Sequence, residues 1–332
     1  MRALFITILL LLFTSICSAY DAKIIKYFGD VEVMPYSKST TPAKEGMELF
    51  EKDTIRTGDN GWVALELNDK SRINLGNKTQ VTIYKDKNKL EIQLDRGKLK
   101  AKVKKVKDRE VTFKTSTAVA GIRGTEFTLF NENNANIFFG KEGVVEVKGT
   151  REGKELLSKE EMTETTKGNK PIPPQKVEPN TPLEEAEKLL SMITADTPPE
   201  DFKKAEGFPE IIARWNVNFS RYLVDKKEYE EALHVLQIAL DISRSPELRS
   251  DARLQRGNIY SVFLDAYEDA LAEHLLNLEE YPSLPQAEIS LYQAAMLLYE
   301  LGFKEQATLR FKEYKEKYPN GRYLNNVERY LK

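Results

Sequence analysis

A near-repeat in the C-terminal third constrains this chain most. Tyr229-Glu230-Glu231-Ala232 returns as Tyr267-Glu268-Asp269-Ala270 and, more loosely, as Lys304-Glu305-Gln306-Ala307, so the alanines lie 38 and then 37 residues apart. Tyr281-Pro282 returns as Tyr318-Pro319 at the same 37-residue interval. From Pro209 onward the apolar residues follow a helical period. A unit of this length made of two helices cannot bury its apolar side alone, so successive units stack into an α-solenoid. The expected hairpins are 209–244, 246–282 and 285–319, with a capping helix over 322–332. Ala232, Ala270 and Ala307 are expected where helices approach closely, and Tyr260, Tyr267 and Tyr292 between hairpins. Pro282 and Pro319 end the second helices.

Before residue 150 the period is different. Leu90-Glu91-Ile92-Gln93-Leu94 and Leu99-Lys100-Ala101-Lys102-Val103 alternate strictly, while Val63-Ala64-Leu65-Glu66-Leu67 and Val81-Thr82-Ile83-Tyr84 are short apolar or β-branched runs. Turn signals separate them: Asp59-Asn60-Gly61, Asn68-Asp69-Lys70, Leu75-Gly76-Asn77 and Asp95-Arg96-Gly97. Many short strands at close spacing give an all-β domain over 20–150, of sandwich, roll or barrel, or solenoid type. The fold class is therefore multidomain, all-β followed by all-α. Between the two, 151–208 carries Pro171, Pro173, Pro174, Pro179 and Pro182 among polar residues. It is expected to be an extended, poorly packed linker with one short amphipathic helix over 183–193.

The N-terminus reads as an export signal. Arg2 precedes an apolar run from Ala3 to Ile16, too short to span a bilayer, and Cys17-Ser18-Ala19 supplies small residues for a signal peptidase. Cleavage after Ala19 is expected. Lipidation at Cys17 is the rival, opposed by Ile16 at a position where a small residue is usual. Cys17 is the single cysteine. Its removal leaves a mature chain without thiol chemistry or disulfides. The net charge of −2 conceals an asymmetry. Residues 21–150 are basic by about five charges and 181–332 acidic by about eight, too little for a nucleic-acid-binding domain. No later segment of the sequence is apolar enough to span a bilayer.

Two resemblances bear on function. Asp53-Thr54-Ile55-Arg56-Thr57-Gly58, Ala118-Val119-Ala120-Gly121-Ile122-Arg123-Gly124-Thr125-Glu126-Phe127 and Glu142-Gly143-Val144-Val145-Glu146-Val147 resemble the FecR domain family. That resemblance implies an all-β envelope domain used for interaction and signalling, with no catalytic residues to transfer. Gly257, Tyr260, Tyr267, Ala270 and Pro282 resemble a tetratricopeptide repeat (TPR), and the flanking hairpins match that pattern more loosely. The motif residues Gly121, Arg123, Gly124, Thr125 and Phe127 are expected to be structural. The glycines would form a tight connection and Arg123 would pin it, or would instead contact a ligand. Lys98, Lys100, Lys102 and Lys104 share one face of a strand. That face is either solvated and protective of an edge, or a basic strip for an anionic envelope polymer or acidic partner.

Enzyme chemistry finds little support. His234 and His274 fall at similar repeat positions without a second ligand at metal spacing, so packing or surface roles are expected. No nucleophile elbow or phosphate-cradling loop is present. Acidic pairs such as Glu230-Glu231 and Glu279-Glu280 read as solvated helix faces. No cofactor is expected. The leading expectation is a non-enzymatic envelope scaffold in the periplasm or associated with the outer membrane. Its β domain docks on an envelope component and its TPR-like array binds a protein partner, the flexible tether allowing both at once. The alternative is a periplasmic component of a FecR-type signalling relay. Direct control of a sigma factor is not expected of a chain that starts with an export signal. A cell-wall polysaccharide-acting enzyme is the third reading.

Overall fold

The structure, a computed structural model, describes residues 20–332 other than 88, 107–109, 123 and 152. Residues 1–19, where the sequence predicts an export signal with Cys17, and Arg123 therefore lie outside the described residues. Strands occupy the first half: β1 (Ala22–Phe28), β2 (Val31–Met34), β3 (Thr41–Pro42), β4 (Glu48–Leu49), β5 (Thr54–Thr57), β6 (Trp62–Leu67), β7 (Arg72–Leu75), β8 (Gln80–Asp86) and β9 (Lys89–Val103). They continue as β10 (Glu110–Lys114), β11 (Ala118–Ile122), β12 (Thr125–Glu132), β13 (Ala135–Glu142), β14 (Val145–Gly149), β15 (Lys154–Leu157), β16 (Glu161–Thr165) and β17 (Gln175–Lys176). The helices are α1 (Pro182–Ile193), α2 (Phe208–Asp225), α3 (Tyr229–Ile242), α4 (Pro246–Phe263), α5 (Tyr267–Glu280), α6 (Gln286–Glu300), α7 (Lys304–Lys317) and α8 (Leu324–Tyr330).

The strands form two sheets. One runs β4-β1-β6-β7-β9-β12-β13-β16-β17 and is antiparallel throughout. The other runs β3-β2-β5-β8-β9-β10-β11-β14-β15, with β9 and β10 parallel. β9 belongs to both, because residues 89–96 pair in the second sheet and 97–103 in the first. The alternating apolar residues face inward, and Ile24, Leu65 and Leu99 of one sheet share a core with Val33, Ile92 and Phe113 of the other. Among the β architectures left open by periodicity, this is the two-sheet sandwich.

Gly97 makes the crossing possible. Its φ is +107°, and a Cβ there would lie 2.5 Å from the Thr79 Cα. Asp95 and Arg96 just before it are both exposed, the one place where the alternation of β9 breaks. Thr79, fully buried, pins the far side of the bend: its Oγ accepts the Lys98 N–H at 2.9 Å.

Residues 151–208 correct the expectation of a poorly packed linker. β15 pairs with β14, β16 extends the first sheet from β13, and β17 pairs with β16. Pro171 and Pro173 remove two backbone donors, yet Ile172 between them donates its N–H to the Glu164 carbonyl at 2.9 Å and is buried. The prolines limit further pairing and leave the burial of Ile172 untouched. Helix α1 begins where Thr181 caps it. The Thr181 hydroxyl accepts from the Glu184 N–H at 3.3 Å, and the Glu184 carboxylate accepts from the Asn180 N–H at 3.0 Å. Its apolar stripe, Leu183, Ala186, Leu190 and Ile193, is buried.

Three antiparallel helix pairs follow, α2/α3, α4/α5 and α6/α7, with α8 at the end. Ala232, Ala270 and Ala307 are fully buried. The chain is thus a β domain followed by a helical solenoid. No described helix is long and apolar enough to cross a membrane. The two parts share a core: Phe130, Ile137, Phe139 and Met162 on the outer side of the first sheet pack in one cluster with residues of α1, α2 and α3.

Candidate functional site

The Gly-Ile-Arg-Gly-Thr-Glu-Phe segment spans the turn from β11 into β12. Gly124 takes φ +71°, the left-handed conformation that glycine adopts at least cost. Gly121 differs from the expected tight approach: it is a regular β11 position paired with Thr112 and Glu146, and a Cβ there would meet nothing within 4 Å. Thr125 is buried at the start of β12. Phe127 packs edge-on against Phe113 in the sandwich core, with ring centroids 5.1 Å apart. Arg123 is not described.

The lysine strip is placed by register. Across the outer side of the first sheet, Glu66 of β6 stands beside Arg72 of β7, Arg72 beside Lys102 of β9, and Lys102 beside Glu126 of β12. Two cations side by side would repel, and the acids flanking them offset this. Lys102 lies 2.9 Å from Glu126 and 3.8 Å from Glu142; hydrogen bonding to Glu126 holds its ammonium above the usual range. Lys70, Arg72, Lys100, Lys102 and Lys104 surround a cleft of about 470 Å³ together with Glu66, Asn74 and Asp196. Five cations against two carboxylates make this the basic pole of the sheet.

The strip is nevertheless not one uniform face. The segment after α1 lies on it: the Asn74 amide donates to the carbonyls of Thr194 and Ala195 and to the Asp196 carboxylate, at 3.2, 3.0 and 2.9 Å. Asp196 also accepts from Lys100 at 3.0 Å, which pulls its carboxyl below the usual range. Lys102 and Lys104 remain exposed beyond this strap, while Lys98 turns toward the helices. Sequence reading found the lysines and missed Asn74, Glu126 and Asp196. These come from other strands and from the supposed linker, and only Glu126 carried a signal, as part of the motif.

A polar seam lines the junction between sandwich and helices. Glu164 of β16 is fully buried and accepts from the Asn216 amide of α2 at 3.1 Å. Burial pushes its carboxyl up to about 8, which keeps it protonated at neutral pH. His234 of α3 accepts the Thr166 N–H at its Nε2, 3.2 Å away, and the Thr166 hydroxyl donates to Asp241 at 2.8 Å. Burial lowers His234, and likewise His274 of α5, to about 4. Both histidines are therefore neutral interior groups.

A pH optimum follows from these three groups. Glu164 keeps a proton that the unfolded chain releases above its ordinary 4.5, so it lowers stability as pH rises from 4.5 to about 8. The unfolded chain protonates two histidines below their ordinary 6.5 that the fold keeps neutral to about 4, so stability falls as pH drops through that window. Two histidines outweigh one glutamate below 6.5, and between 6.5 and about 8 the glutamate alone of the three acts, which places the maximum near pH 6.5. Melting temperatures between about pH 4 and 9 check this, and Glu164→Gln is expected to flatten the alkaline limb. An alkaline limb unchanged in that variant contradicts the assignment.

The family model described as FecR protein matches residues 53–146, which run from the β4–β5 connection into β14. No curated protein matches. Among solved structures, the chain is similar to two crystal structures, each provisionally described as an anti-sigma factor from Parabacteroides distasonis. The first is 16% identical with a TM-score of 0.35, over 41% of this chain and 64% of that one. The second is 15% identical with a TM-score of 0.35, over 42% of this chain and 74% of that one.

Proposed function

We propose that this chain is an exported, non-enzymatic relay of the cell envelope. Its FecR-like β module receives a contact, and its TPR-like hairpins present the result to a protein partner. The observation that carries the reading is the FecR match over 53–146 in a sandwich that shares its core with the helices that follow. A module docked in this way passes strain or a shift at one face to its neighbour, because packed cores deform little before they rearrange. The scaffold reading relied on a flexible tether. With 151–208 folded into the sandwich and the junction, that mechanism loses its premise. The exposed Lys102–Lys104 end of the basic pole is the part of the β module best suited to an acidic partner.

Transcript profiling of a deletion strain, restored with the intact chain, tests the relay. A defined set of transcripts is expected to shift and to return on restoration. Unchanged transcripts combined with loss of a stable envelope complex would overturn the relay in favour of the scaffold. Cell-wall hydrolysis by the purified protein, abolished by one carboxylate substitution, would overturn both.

A further inference from the structure

A second cleft, of about 690 Å³, opens where β9 bends between the sheets, walled on one side by strand ends of the sandwich and on the other by the start of α2 and the end of α3. Its acids are largely engaged. Glu132 pairs with Arg244 at 3.1 Å, and Asp59 and Glu206 flank Lys78 at 3.7 and 3.8 Å. Glu210 accepts from the Ser243 hydroxyl and the Arg244 N–H at 2.6 and 2.7 Å. Arg56 is taken by Glu32 at 2.5 Å. Asp30 is the remaining acid of the wall.

Lys98 stands apart from this pattern. It is half-buried at the cleft, and its ammonium donates to the Asn77 side-chain oxygen at 3.2 Å. Among the described residues no carboxylate lies within ion-pair distance of it, whereas Lys100 and Lys102 of the same strand each have two. Arg96, two residues earlier on the same wall, is likewise without an ion pair among the described residues. Burial lowers the Lys98 ammonium to about 8, against opposing pulls from Glu132 and Glu206. A cation withdrawn from water without a counter-ion costs stability and gains from an incoming anion. Phe130, Pro209 and Ile242 add apolar wall, which a bare inorganic ion would not use.

We infer that this cleft binds an acidic peptide segment of a partner, with a side-chain carboxylate seated between Lys98 and Arg96. The site touches both the sandwich and the helices, so an occupant would bear on their junction. The inference stands whether or not the chain acts as a relay.

Calorimetric titration of the full chain with a blocked tetraglutamate peptide, and separately with inorganic phosphate, tests it. Saturable peptide binding is expected. Lys98→Met is expected to weaken it about tenfold or more through loss of a charge-assisted hydrogen bond, and Arg96→Gln to weaken it several-fold. The melting temperature of Lys98→Met is expected to hold or rise, since a poorly solvated charge has been removed. A purely structural lysine would show the opposite, a fall in melting temperature. No saturable binding, equal binding by Lys98→Met, or phosphate binding as tightly as the peptide would each overturn the inference. Saturable peptide binding by the full chain, together with unchanged transcripts in the deletion strain, would sink the relay and leave this site standing.

Discussion

Replacing Phe208 with alanine is expected to cost about 3–5 kcal/mol and to destabilise both halves of the molecule together. Phe208 opens α2, yet its ring packs against Phe130 of β12 at 4.8 Å and Phe139 of β13 at 6.5 Å between centroids. It is 1% exposed. Truncation removes apolar area from water-excluded surroundings and leaves a cavity bounded by two elements of the sandwich and one of the solenoid, so neither part can collapse onto it alone. The alternative, two bodies joined by a tether, would confine the loss to the helices. Denaturant unfolding checks the size of the effect, and a loss below about 1 kcal/mol would show that the ring is not part of a shared core.

Gly97→Ala should cost about 2–4 kcal/mol, combining left-handed strain with a backbone collision. The added methyl would lie 2.3 Å from the Thr79 hydroxyl and 2.5 Å from its Cα, and only the hydroxyl could rotate away. Because β9 carries the chain between sheets at this residue, relief would require moving Thr79 and the Lys98 N–H bonded to it. Denaturant unfolding again gives the measurement. A loss under about 0.5 kcal/mol, the scale of an ordinary surface substitution, would show that the bend tolerates a side chain.

These two positions mark the boundary of what sequence could reveal. Asp95-Arg96-Gly97 was readable as a turn signal, but not as a strand passing from one sheet to another, because local chemistry specifies a backbone kink and says nothing of what lies beyond it. The alternation of Leu90 to Leu94 and of Leu99 to Val103 was legible for a plain reason: one side of each strand faces a core. The paired helices were legible from the recurrence of Ala232, Ala270 and Ala307. The packing of 151–208 was hidden by its prolines. They report on backbone freedom, while two anchoring groups there, Ile172 and Phe208, are single apolar residues with partners far along the chain. Glu164 shows the same limit more sharply: in Thr163-Glu164-Thr165 it reads as a solvated acid, and only the arrival of α2 buries it.

The candidate sites divide likewise. Alternation located the basic strand, but the separate fates of its lysines depend on Asp196 and Glu126 for Lys100 and on the bend of β9 for Lys98.

The shared core itself is tested most directly by the two tryptophans, since Trp62 is buried in β6 and Trp215 lies in α2. Following denaturant unfolding in Trp215→Phe and Trp62→Phe variants gives each half its own signal. The expected result is that introducing Phe208→Ala moves both midpoints down by the same amount. A shift in the Trp215 signal with the Trp62 signal unmoved would mean that sandwich and helices fold as separate bodies, and would contradict the account.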